Sequence, residues 1–339
     1  MIQQAIKELT EKHDIGYETA KEVMDEIMSG NATDIQMAAY LAAMACKGET
    51  IEEITGSAAG MREHCVRILN DVNALEIVGT GGDHAQSFNI STTAALVVSA
   101  ANIAVAKHGN RAASSRSGAA DVLEALGVKI DVSPEKSLQL LQEIGLCFLF
   151  AQNYHIAMKY VAPVRRELGI RTIFNILGPL VNPAGARLEL LGVYDEELVR
   201  PLAQVLANLG VSDALVVFGQ DGLDEISLCA ATSVCEVRNG RFKEYDIHPE
   251  DFGFTRCQKS ELVGGTPEEN AAITKSILQG RTDAEIIPKR NAVVMNAAAA
   301  IFVARPELSL VAAAEIAEQT LDSGLALAQL ERFVRLSHE

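Results

Sequence analysis

The sequence predicts an α/β protein, in which a small all-helical domain is combined with a larger α/β domain built on a mostly parallel central sheet. Three observations support this prediction. Apolar side chains recur at helical spacing over the first 70 residues. From about residue 74, short apolar runs alternate with helical segments, which is typical of a parallel sheet covered by helices. The length of 339 residues suits two domains.

The helical pattern comes first along the chain. Its periodic apolar residues are Ile6, Leu9, Ile15, Val23, Ile27, Met37, Leu41 and Met44. Gly30-Asn31 interrupts the pattern, and Asp34 is the candidate N-cap of the helix that follows. We therefore expect residues 1–70 to form the helical domain.

Strands and helices alternate in the next part of the chain. Strands are predicted at 75–78, 103–106, 128–130, 147–150, 188–193 and 214–218. Helices are predicted at 91–101, 119–126 and 196–209, and another opens at Ser133-Pro134, where serine is the N-cap and proline the first helical residue. Asn239-Gly240 predicts a β-hairpin, and helices close the chain from about Pro267.

Residues 155–186 interrupt this alternation with helical and loop-like sequence that contains Pro163, Pro179 and Pro183. We expect the segment from about 165 to 186 to pack on the helical domain. The α/β domain then comprises 71–164 and 187–339. Clefts between two such domains are favoured ligand sites.

Charge and composition exclude several function classes. The net charge of −16 disfavours binding to nucleic acid or to an anionic membrane. The longest apolar segment, near 292–304, contains Asn296 and is too short to span a bilayer. The N-terminal residues are amphipathic and charged, with no apolar signal region, so we expect a cytoplasmic protein.

Cysteine and histidine usage indicates neither a disulfide framework nor a zinc site. The six cysteines form no C-x-x-C pair, and we expect reduced, buried thiols. The seven histidines are scattered along the sequence, which disfavours a histidine-based metal cage.

A glycine cluster follows the first predicted strand, in EIVGTGGDHAQSFNIS at 76–91. It is not a P-loop, because no lysine lies near Gly82, and it is not a Rossmann turn, because its third glycine is out of place. Ser91-Thr92-Thr93 follows at the expected start of a helix, where free backbone N–H groups can bind an anion.

A second polar loop follows the next predicted strand. It reads Lys107-His108-Gly109-Asn110-Arg111 and continues with serines and Arg116. The carboxyl ends of parallel strands meet at one edge of a sheet, where such proteins bind ligands. The two loops together therefore predict a basic cradle for a polyphosphate. Taken alone, each loop could be a solvated turn with capping serines.

Asp224-Glu225 lies just beyond an apolar strand. A pair of adjacent acids is most often a solvated turn. Close to a phosphate cradle it favours Mg²⁺, which takes carboxylate and phosphate oxygens as ligands and offsets the repulsion between the acids and an anionic substrate.

Five segments in this order resemble the anthranilate phosphoribosyltransferases: GTGGD, SFNIST, AKHGNRAASSRSGAADVLEALG, PVRRELGIRTIFNILGPLVNP and GLDEIS. The resemblance covers nearly the whole chain. It implies transfer of the 5-phosphoribosyl group from phosphoribosyl pyrophosphate (PRPP) to the amine of anthranilate, with release of pyrophosphate. It also implies a homodimer formed through the helices. The sequence leaves open whether a glutamine amidotransferase associates with this chain.

The resemblance also assigns residues to sites. Anthranilate would contact Gly79, Asn110 and Arg165, with His108 and His155 lining its entrance. Mg²⁺, two ions per monomer, would be held by Ser91, Asp224 and Glu225. The residues implied to line the PRPP site are Gly79, Gly82, Asp83, Ser87, Asn89, Ile90, Ser91, Thr92, Lys107, His108, Gly109, Asn110, Arg111, Ala112, Ala113, Ser114, Ser115 and Ala119.

The chemistry implied is electrostatic. Lys107, Mg²⁺ and helix-end N–H groups would stabilise the charge that grows on pyrophosphate. The arylamine is neutral at pH 7, so we assign no catalytic general base. Arg165 offers a planar fork suited to the anthranilate carboxylate.

The chain departs from the family pattern at four positions. His84 stands where glycine is usual, Gln152 and Ile156 replace prolines, and Ala119 stands where serine is common. These departures concern substrate affinity and loop flexibility. Two alternatives remain at this stage: a pyrimidine nucleoside phosphorylase of the same fold, and a non-catalytic relative that binds nucleic acid. KHGNR and the acidic pair disfavour the first, and the net charge of −16 disfavours the second.

Overall fold

One seven-stranded sheet organises the molecule, whose computed structural model describes residues 1–112 and 115–339. The strands β1 to β7 are Leu75–Gly79, Val105–Gly109, Leu146–Phe150, Leu188–Gly192, Asp213–Gly219, Thr232–Arg238 and Arg241–Ile247. Their order in the sheet is β3-β2-β1-β4-β5-β6-β7. The first five strands are parallel, and β6 and β7 add an antiparallel hairpin at Asn239-Gly240. The predicted fold class and the hairpin are confirmed.

Helices surround this sheet on both faces. Helices α1 to α15 are Ile2–Thr10, Gly16–Met28, Asp34–Lys47, Ile51–Glu63, Ile90–Ala100, Ala119–Ala125, Pro134–Ile144, Ala151–Tyr154, Ala162–Leu168, Phe174–Leu177, Val199–Asn208, Pro267–Leu278, Ile287–Ala304, Leu310–Asp322 and Leu325–His338. Single 3₁₀ turns occur at Ile156–Tyr160, Pro179–Val181, Glu196–Leu198, Pro249–Phe252 and Lys259–Leu262. In the described part of the chain, no helix is long and apolar enough to cross a membrane.

Side-chain caps explain where several helices begin. Ser133 accepts a hydrogen bond from the backbone of Lys136, with Pro134 as the first helical residue, so the predicted cap of α7 is confirmed. The predicted N-cap of α3 at Asp34 is wrong by one residue. Thr33 caps that helix in a capping box. Its hydroxyl accepts from the backbone N–H of Gln36, and the Gln36 side chain accepts from the backbone N–H of Thr33.

The strand predicted at 128–130 is also wrong. Val128 and Ile130 are buried, which explains the apolar signal, but the segment joins no sheet. The backbone N–H of Lys129 donates instead to the Ser337 hydroxyl of α15, at 3.0 Å. The apolar residues pack against helices, so their burial mimics that of a strand. The predicted strand 103–106 is displaced, since β2 begins at Val105 and extends to Gly109.

Two hydrophobic cores lie on opposite faces of the sheet. Alternation along β4 shows this division, because Leu190 belongs to one core and Leu191 to the other. The second core joins the N-terminal helices to residues from the 161–181 segment, such as Val161 and Phe174. The domain boundaries near 70 and 187 stay a prediction.

The strand order reverses between β1 and β4, which are neighbours in the sheet although β2 and β3 separate them in sequence. Their last residues, Gly79 and Gly192, are paired in register. In open α/β sheets, ligands bind beyond the carboxyl ends of the strands at such a reversal. We therefore expect a ligand site at the loops that follow Gly79 and Gly192.

All six cysteines are free, as expected, but not all are buried. Cys147 and Cys235 lie in the core, whereas Cys46 is exposed and the remaining three are half-buried. The expectation of uniformly buried thiols is wrong, because Cys46 lies near the end of α3, where the helix meets solvent.

Candidate active site at the carboxyl edge of the sheet

The glycines at the reversal point make room for an acidic loop. A side chain on Gly79 would collide with the Asp224 carboxylate, and one on Gly192 would collide with the Asp224 backbone. The backbone N–H of Gly81 donates to Asp224 Oδ2 at 2.7 Å. The glycine cluster therefore lets the main chain approach the Asp224-Glu225 loop, which follows β5.

Three elements meet around Glu225. The backbone N–H of Ser91, in the first turn of α5, donates to Glu225 Oε1 at 3.0 Å. Lys107, from β2, donates through Nζ to Ser91 Oγ at 3.3 Å and to the Ile77 carbonyl at 2.6 Å. Lys107 is only 4% exposed, so its ammonium is held at this point by the surrounding backbone. We name this group, comprising Asp83, Ser91, Lys107, Asp224 and Glu225, the acidic cluster.

The acidic cluster carries more negative than positive charge. Burial, followed by repulsion from Asp83 and Glu225, raises the pKa of Asp224 well above its ordinary value. Burial likewise raises the pKa of Glu225 to about 7, although Lys107 opposes this shift. A cation placed here would favour the ionised carboxylates.

The acidic cluster fits Mg²⁺ better than a closed metal site. No group of three His, Cys, Asp or Glu side chains among residues 1–112 and 115–339 is arranged to hold a metal unaided. Mg²⁺ commonly takes only one or two carboxylates and completes its octahedron with water and substrate phosphate. The hard oxygen donors of Ser91, Asp224 and Glu225 match that preference.

The loop between Gly79 and α5, at residues 80–89, has an unusual backbone, and we call it the glycine loop. Gly81 and Gly82 have φ of 70° and 77°, and the non-glycine residues His84 and Gln86 have φ of 58° and 55°. Positive φ is costly for a residue with a Cβ. His84 thus has a backbone conformation that a glycine would adopt without strain.

The second half of this loop is anchored by its neighbours. The backbone N–H of Phe88 donates to the Leu262 carbonyl, and the backbone N–H of Gly264 donates to the Gln86 carbonyl. Asn89 accepts from Asn270 Nδ2 at 2.8 Å and donates to the Ser117 carbonyl at 3.1 Å. Ser87, Asn89, Ile90 and Thr92 therefore lie on one continuous segment leading into α5 beside Ser91.

The loop after β2 is organised by acids from α6. Arg111 pairs with Asp121 at 3.1 Å and with Glu124, and the N–H groups of Ala112 and Gly118 both donate to Asp121 Oδ2 at 2.9 Å. Arg111 is thus held by carboxylates, whereas the sequence predicts it in the phosphate cradle. The predicted contacts at Ala113 and Ser114 lie outside the described residues.

Two histidines form a neutral region beside this loop. The His108 and His155 rings are 5.0 Å apart between centroids. Burial lowers the pKa of His108 to about 3 and that of His155 to about 4. In the described part of the chain, neither Nε2 atom has a hydrogen-bond partner. Two neutral rings are suited to lie beside an aromatic molecule without adding charge to its surroundings.

Arg165 lies on α9, in the segment expected to pack with the helical domain. Its guanidinium carbon is 5.2 Å from the centre of the Phe174 ring. Among the residues described, no carboxylate pairs with it, and burial lowers the pKa of its guanidinium. A half-buried, unpaired guanidinium beside an aromatic ring is suited to bind an aromatic carboxylate.

Sequence reasoning missed Arg171. Its Nη2 atom donates to the Gly82 carbonyl at 2.6 Å, and its guanidinium carbon lies 4.0 Å from the centre of the Tyr194 ring. Arg171 therefore ties the α9–α10 connection to the glycine loop. The available signal was an arginine in the short linker at 169–173, two residues after Gly169. Its hydrogen-bond partner Gly82 is 89 residues away in sequence, so spacing could not have identified this contact.

Sequence reasoning also missed the buried pair Glu76 and Asn182. Glu76 accepts from the backbone N–H of His108 at 2.9 Å and from Asn182 Nδ2, and Asn182 also donates to the Ala106 carbonyl at 2.8 Å. Burial raises the pKa of Glu76 to about 7. These bonds fix β1, β2 and the end of the 155–186 segment together just beneath the histidines.

Comparison with known proteins agrees with this architecture. Residues 71–327 match the a/b domain of a glycosyl transferase family, and residues 3–65 match its helical bundle domain. The chain is 60% identical over 338 residues to the anthranilate phosphoribosyltransferase of Lachnoclostridium phytofermentans, covering 100% of this chain and 99% of that protein.

Solved structures give the same result. A Thermus thermophilus anthranilate phosphoribosyltransferase superposes with a TM-score of 0.92 at 43% identity, covering 99% of each chain. A Saccharomyces cerevisiae anthranilate phosphoribosyltransferase in complex with PRPP and Mg superposes with a TM-score of 0.91 at 28% identity, covering 99% of this chain and 98% of that one.

Proposed function

The chain belongs to the anthranilate phosphoribosyltransferases, within this glycosyl transferase family, and from that premise we propose how its residues divide the reaction. The enzyme transfers the 5-phosphoribosyl group from PRPP to the amine of anthranilate. The products are N-(5-phosphoribosyl)anthranilate and pyrophosphate, in L-tryptophan biosynthesis. One observation carries the assignment of residues: the acidic cluster meets the glycine loop and the start of α5 at the sheet reversal.

PRPP binds along the two polar loops. The ribosyl and phosphate groups contact the glycine loop, the first turn of α5 and the loop after β2, at the positions that the sequence predicts. Lys107 stabilises the charge that develops on pyrophosphate as its bond to ribose C1 breaks. Lys107 is well placed for this role because the surrounding backbone already fixes its ammonium. The N–H groups of Ser91 and Thr93, at the start of α5, already donate to Glu225 and to the Asn89 carbonyl. Arg111 contributes only if it leaves Asp121 and Glu124.

Ser91, Asp224 and Glu225 hold Mg²⁺, with two ions per monomer. When bound, Mg²⁺ supplies positive charge to the pyrophosphate oxygens. The raised pKa values of Asp224 and Glu225 support this role, because these carboxylates lie where a cation would stabilise their ionised forms.

Anthranilate binds at the other end of the site. Arg165 pairs with its carboxylate through two parallel N–H donors. Gly79 and Asn110 contact the ring and amine, and His108 and His155 line the entrance. Both histidines stay neutral at pH 7, so they add no charge that would repel Arg165 or compete for the carboxylate.

The chemical step needs no strong base. The arylamine nitrogen attacks C1 with its neutral lone pair while the C1–O bond to pyrophosphate breaks. The nitrogen becomes strongly acidic once it carries the new C–N bond, and it then loses its extra proton to water. No residue of the described chain has to accept that proton directly.

We further propose that the enzyme acts in the cytoplasm as a homodimer formed through the helical domain. Ile35, on α3, supports this arrangement because its side chain is 83% exposed and would be covered at such an interface.

A fluorescence assay tests the proposed function. Purified enzyme, PRPP, Mg²⁺ and anthranilate are mixed, and the loss of anthranilate fluorescence is followed. We expect turnover only when all three additions are present. Full activity after exhaustive chelation would remove the Mg²⁺ assignment, and absence of turnover with all three would contradict the assigned reaction.

A further inference from the structure

Two cysteines outside the catalytic residues lie side by side. The sulfur atoms of Cys229 and Cys257 are 3.5 Å apart, and both residues are half-buried. Cys229 follows the Asp224-Glu225 loop, and Cys257 lies on the segment leading to the 3₁₀ turn at Lys259–Leu262. Among the described residues, no other pair of cysteine sulfurs is within hydrogen-bonding distance.

The backbone holds the two sulfurs in place. The N–H of Cys257 donates to the Leu228 carbonyl at 3.2 Å, which joins the two segments next to the thiols. The N–H of Cys229 donates to Ser227 Oγ at 2.9 Å, which fixes the turn that carries it. A disulfide needs sulfur atoms about 2.05 Å apart. Disulfide formation therefore requires the two sulfur atoms to approach each other from their present separation of 3.5 Å.

The two thiols differ in reactivity. Their hydrogen bond lowers the pKa of Cys229 and raises the pKa of Cys257. Lys259 nearby also favours the Cys229 thiolate, whereas Asp221 and Glu261 oppose it. The thiolate is the form that reacts with an oxidant. Cys229 is therefore the attacking sulfur and Cys257 the resolving one.

We propose that Cys229 and Cys257 form a reversible disulfide in the presence of hydrogen peroxide. The Cys229 thiolate attacks hydrogen peroxide and the O–O bond breaks, which gives a sulfenic acid and hydroxide. The hydroxide takes up the proton that the thiol released, so that one water forms. Cys257 then attacks that sulfur, the S–O bond breaks, and a second water leaves. The two thiols lose two electrons and hydrogen peroxide gains them. A thiol reductant reverses the reaction by disulfide exchange.

The disulfide would fasten two segments that border the active site. The segment beyond Cys257 supports the glycine loop, because Leu262 accepts from Phe88 and Gly264 donates to Gln86. The turn at Cys229 leads back to Asp224 and Glu225. The bond spans 28 residues, long enough for a cross-link to reduce the entropy of the unfolded chain appreciably. The oxidised enzyme should be more stable to heat, and this readout does not depend on catalysis.

The test compares the reduced full-length enzyme with enzyme treated with hydrogen peroxide. Free thiols are then blocked with a maleimide and the digest is mapped by mass spectrometry. We expect a cross-linked peptide joining Cys229 to Cys257, about 2 Da lighter than the two thiol peptides and lost on reduction. We also expect the melting temperature to rise by at least about 3 °C on oxidation and to fall again on reduction.

Variants separate this pair from the other thiols. Cys229→Ser and Cys257→Ser should each abolish the cross-link and the thermal shift, while Cys46→Ser, at an exposed thiol, should leave both unchanged. Absence of the Cys229–Cys257 peptide, or oxidation confined to Cys46, would overturn the proposal. A cross-link with no thermal shift would overturn the fastening of the two segments.

Discussion

The two ends of the active site use buried polar groups in opposite ways. At the acidic cluster, backbone N–H groups donate to the carboxylates of Asp224 and Glu225, and Lys107 donates to the Ser91 hydroxyl beside them. At the proposed anthranilate end, His108 and His155 are neutral, and Arg165 has no carboxylate partner in the described part of the chain. One end is crowded with charge, and the other presents a single cation among uncharged rings.

Our proposal that each end binds one substrate accounts for this contrast. PRPP brings several negative charges, and further negative charge develops on its pyrophosphate group as that group leaves. The end that binds PRPP therefore needs cations that are fixed before the reaction begins. Anthranilate brings one carboxylate and a neutral amine. A second charge at its end would add a desolvation cost without a partner. The acidic cluster is accordingly built from strand ends and a helix terminus, whereas the anthranilate end is built from the 155–186 segment.

The largest expected effect is at the acidic cluster. The Asp224→Ala, Glu225→Ala double variant should lose at least about a hundredfold in kcat, because the charge on the leaving pyrophosphate is then uncompensated. The measurement is the fluorescence assay at saturating substrates.

The matched control is Asp224→Asn, Glu225→Gln, which keeps side-chain size and the acceptor for Gly81 but removes both charges. It should fold like the wild type by circular dichroism and be as inactive as the alanine variant. If either double variant kept a third of wild-type kcat, the metal site would have to be placed elsewhere.

The next effect concerns stability at the neutral end. His155 has a pKa of about 4 in the folded protein, whereas an unfolded imidazole has a pKa near 6.5. As pH falls below about 6.5, the unfolded chain takes up a proton that the folded chain refuses until about pH 4. Neutral, buried His155 therefore contributes its full stability to the folded protein above pH 6.5, and this contribution is lost as the pH falls towards 4.

The measurement is urea unfolding of the wild type and His155→Gln at about pH 7.5 and pH 5. The stability of the wild type relative to the variant should fall by about 2 kcal/mol between these values. A constant difference would mean that His155 is not held neutral by burial. A difference that grows as pH falls would mean that its charged form is the stabilised one.

A smaller effect is expected at Arg171, which joins the two ends. Arg171→Ala removes the bond to the Gly82 carbonyl and the contact with Tyr194, and the site is exposed. The dissociation constant for PRPP should rise about five- to tenfold, because the glycine loop loses one support. Arg166→Ala, at an exposed arginine on α9, is the control and should change it less than about twofold. Equal effects of the two variants would contradict the proposed role of Arg171 in supporting the glycine loop.

The comparison also explains what could be predicted from the sequence. The strand–loop–helix units and the glycine cluster have local patterns, so the sheet and the residues at its edge were predictable. The grouping of Ser91 with Asp224-Glu225 came from the family resemblance, because the order of strands brings these residues together and local spacing cannot show it. Residue assignments at the anthranilate end depended on family resemblance, since Arg165 alone would be interpreted as a surface arginine.

Other features could not be predicted because tertiary partners decide them. Val128 and Ile130 form an apolar run that packs on helices without joining a sheet. Arg111 sits in a basic loop, yet acids on α6 hold it. Glu76 and Asn182 are 106 residues apart in sequence, and only the closure of the chain brings them together.

The central claim is that each end of the site recognises one substrate, and calorimetric binding to two variants tests it most directly. Arg165→Ala should weaken anthranilate binding by at least about 30-fold, since a desolvated charge pair loses one partner, while the dissociation constant for PRPP changes less than about threefold. Lys107→Met, which removes the ammonium but keeps much of the side-chain length, should show the opposite pattern. Arg165→Lys should recover only part of the loss, because an ammonium cannot form two parallel bonds. Equal weakening of both substrates by Arg165→Ala would contradict the account.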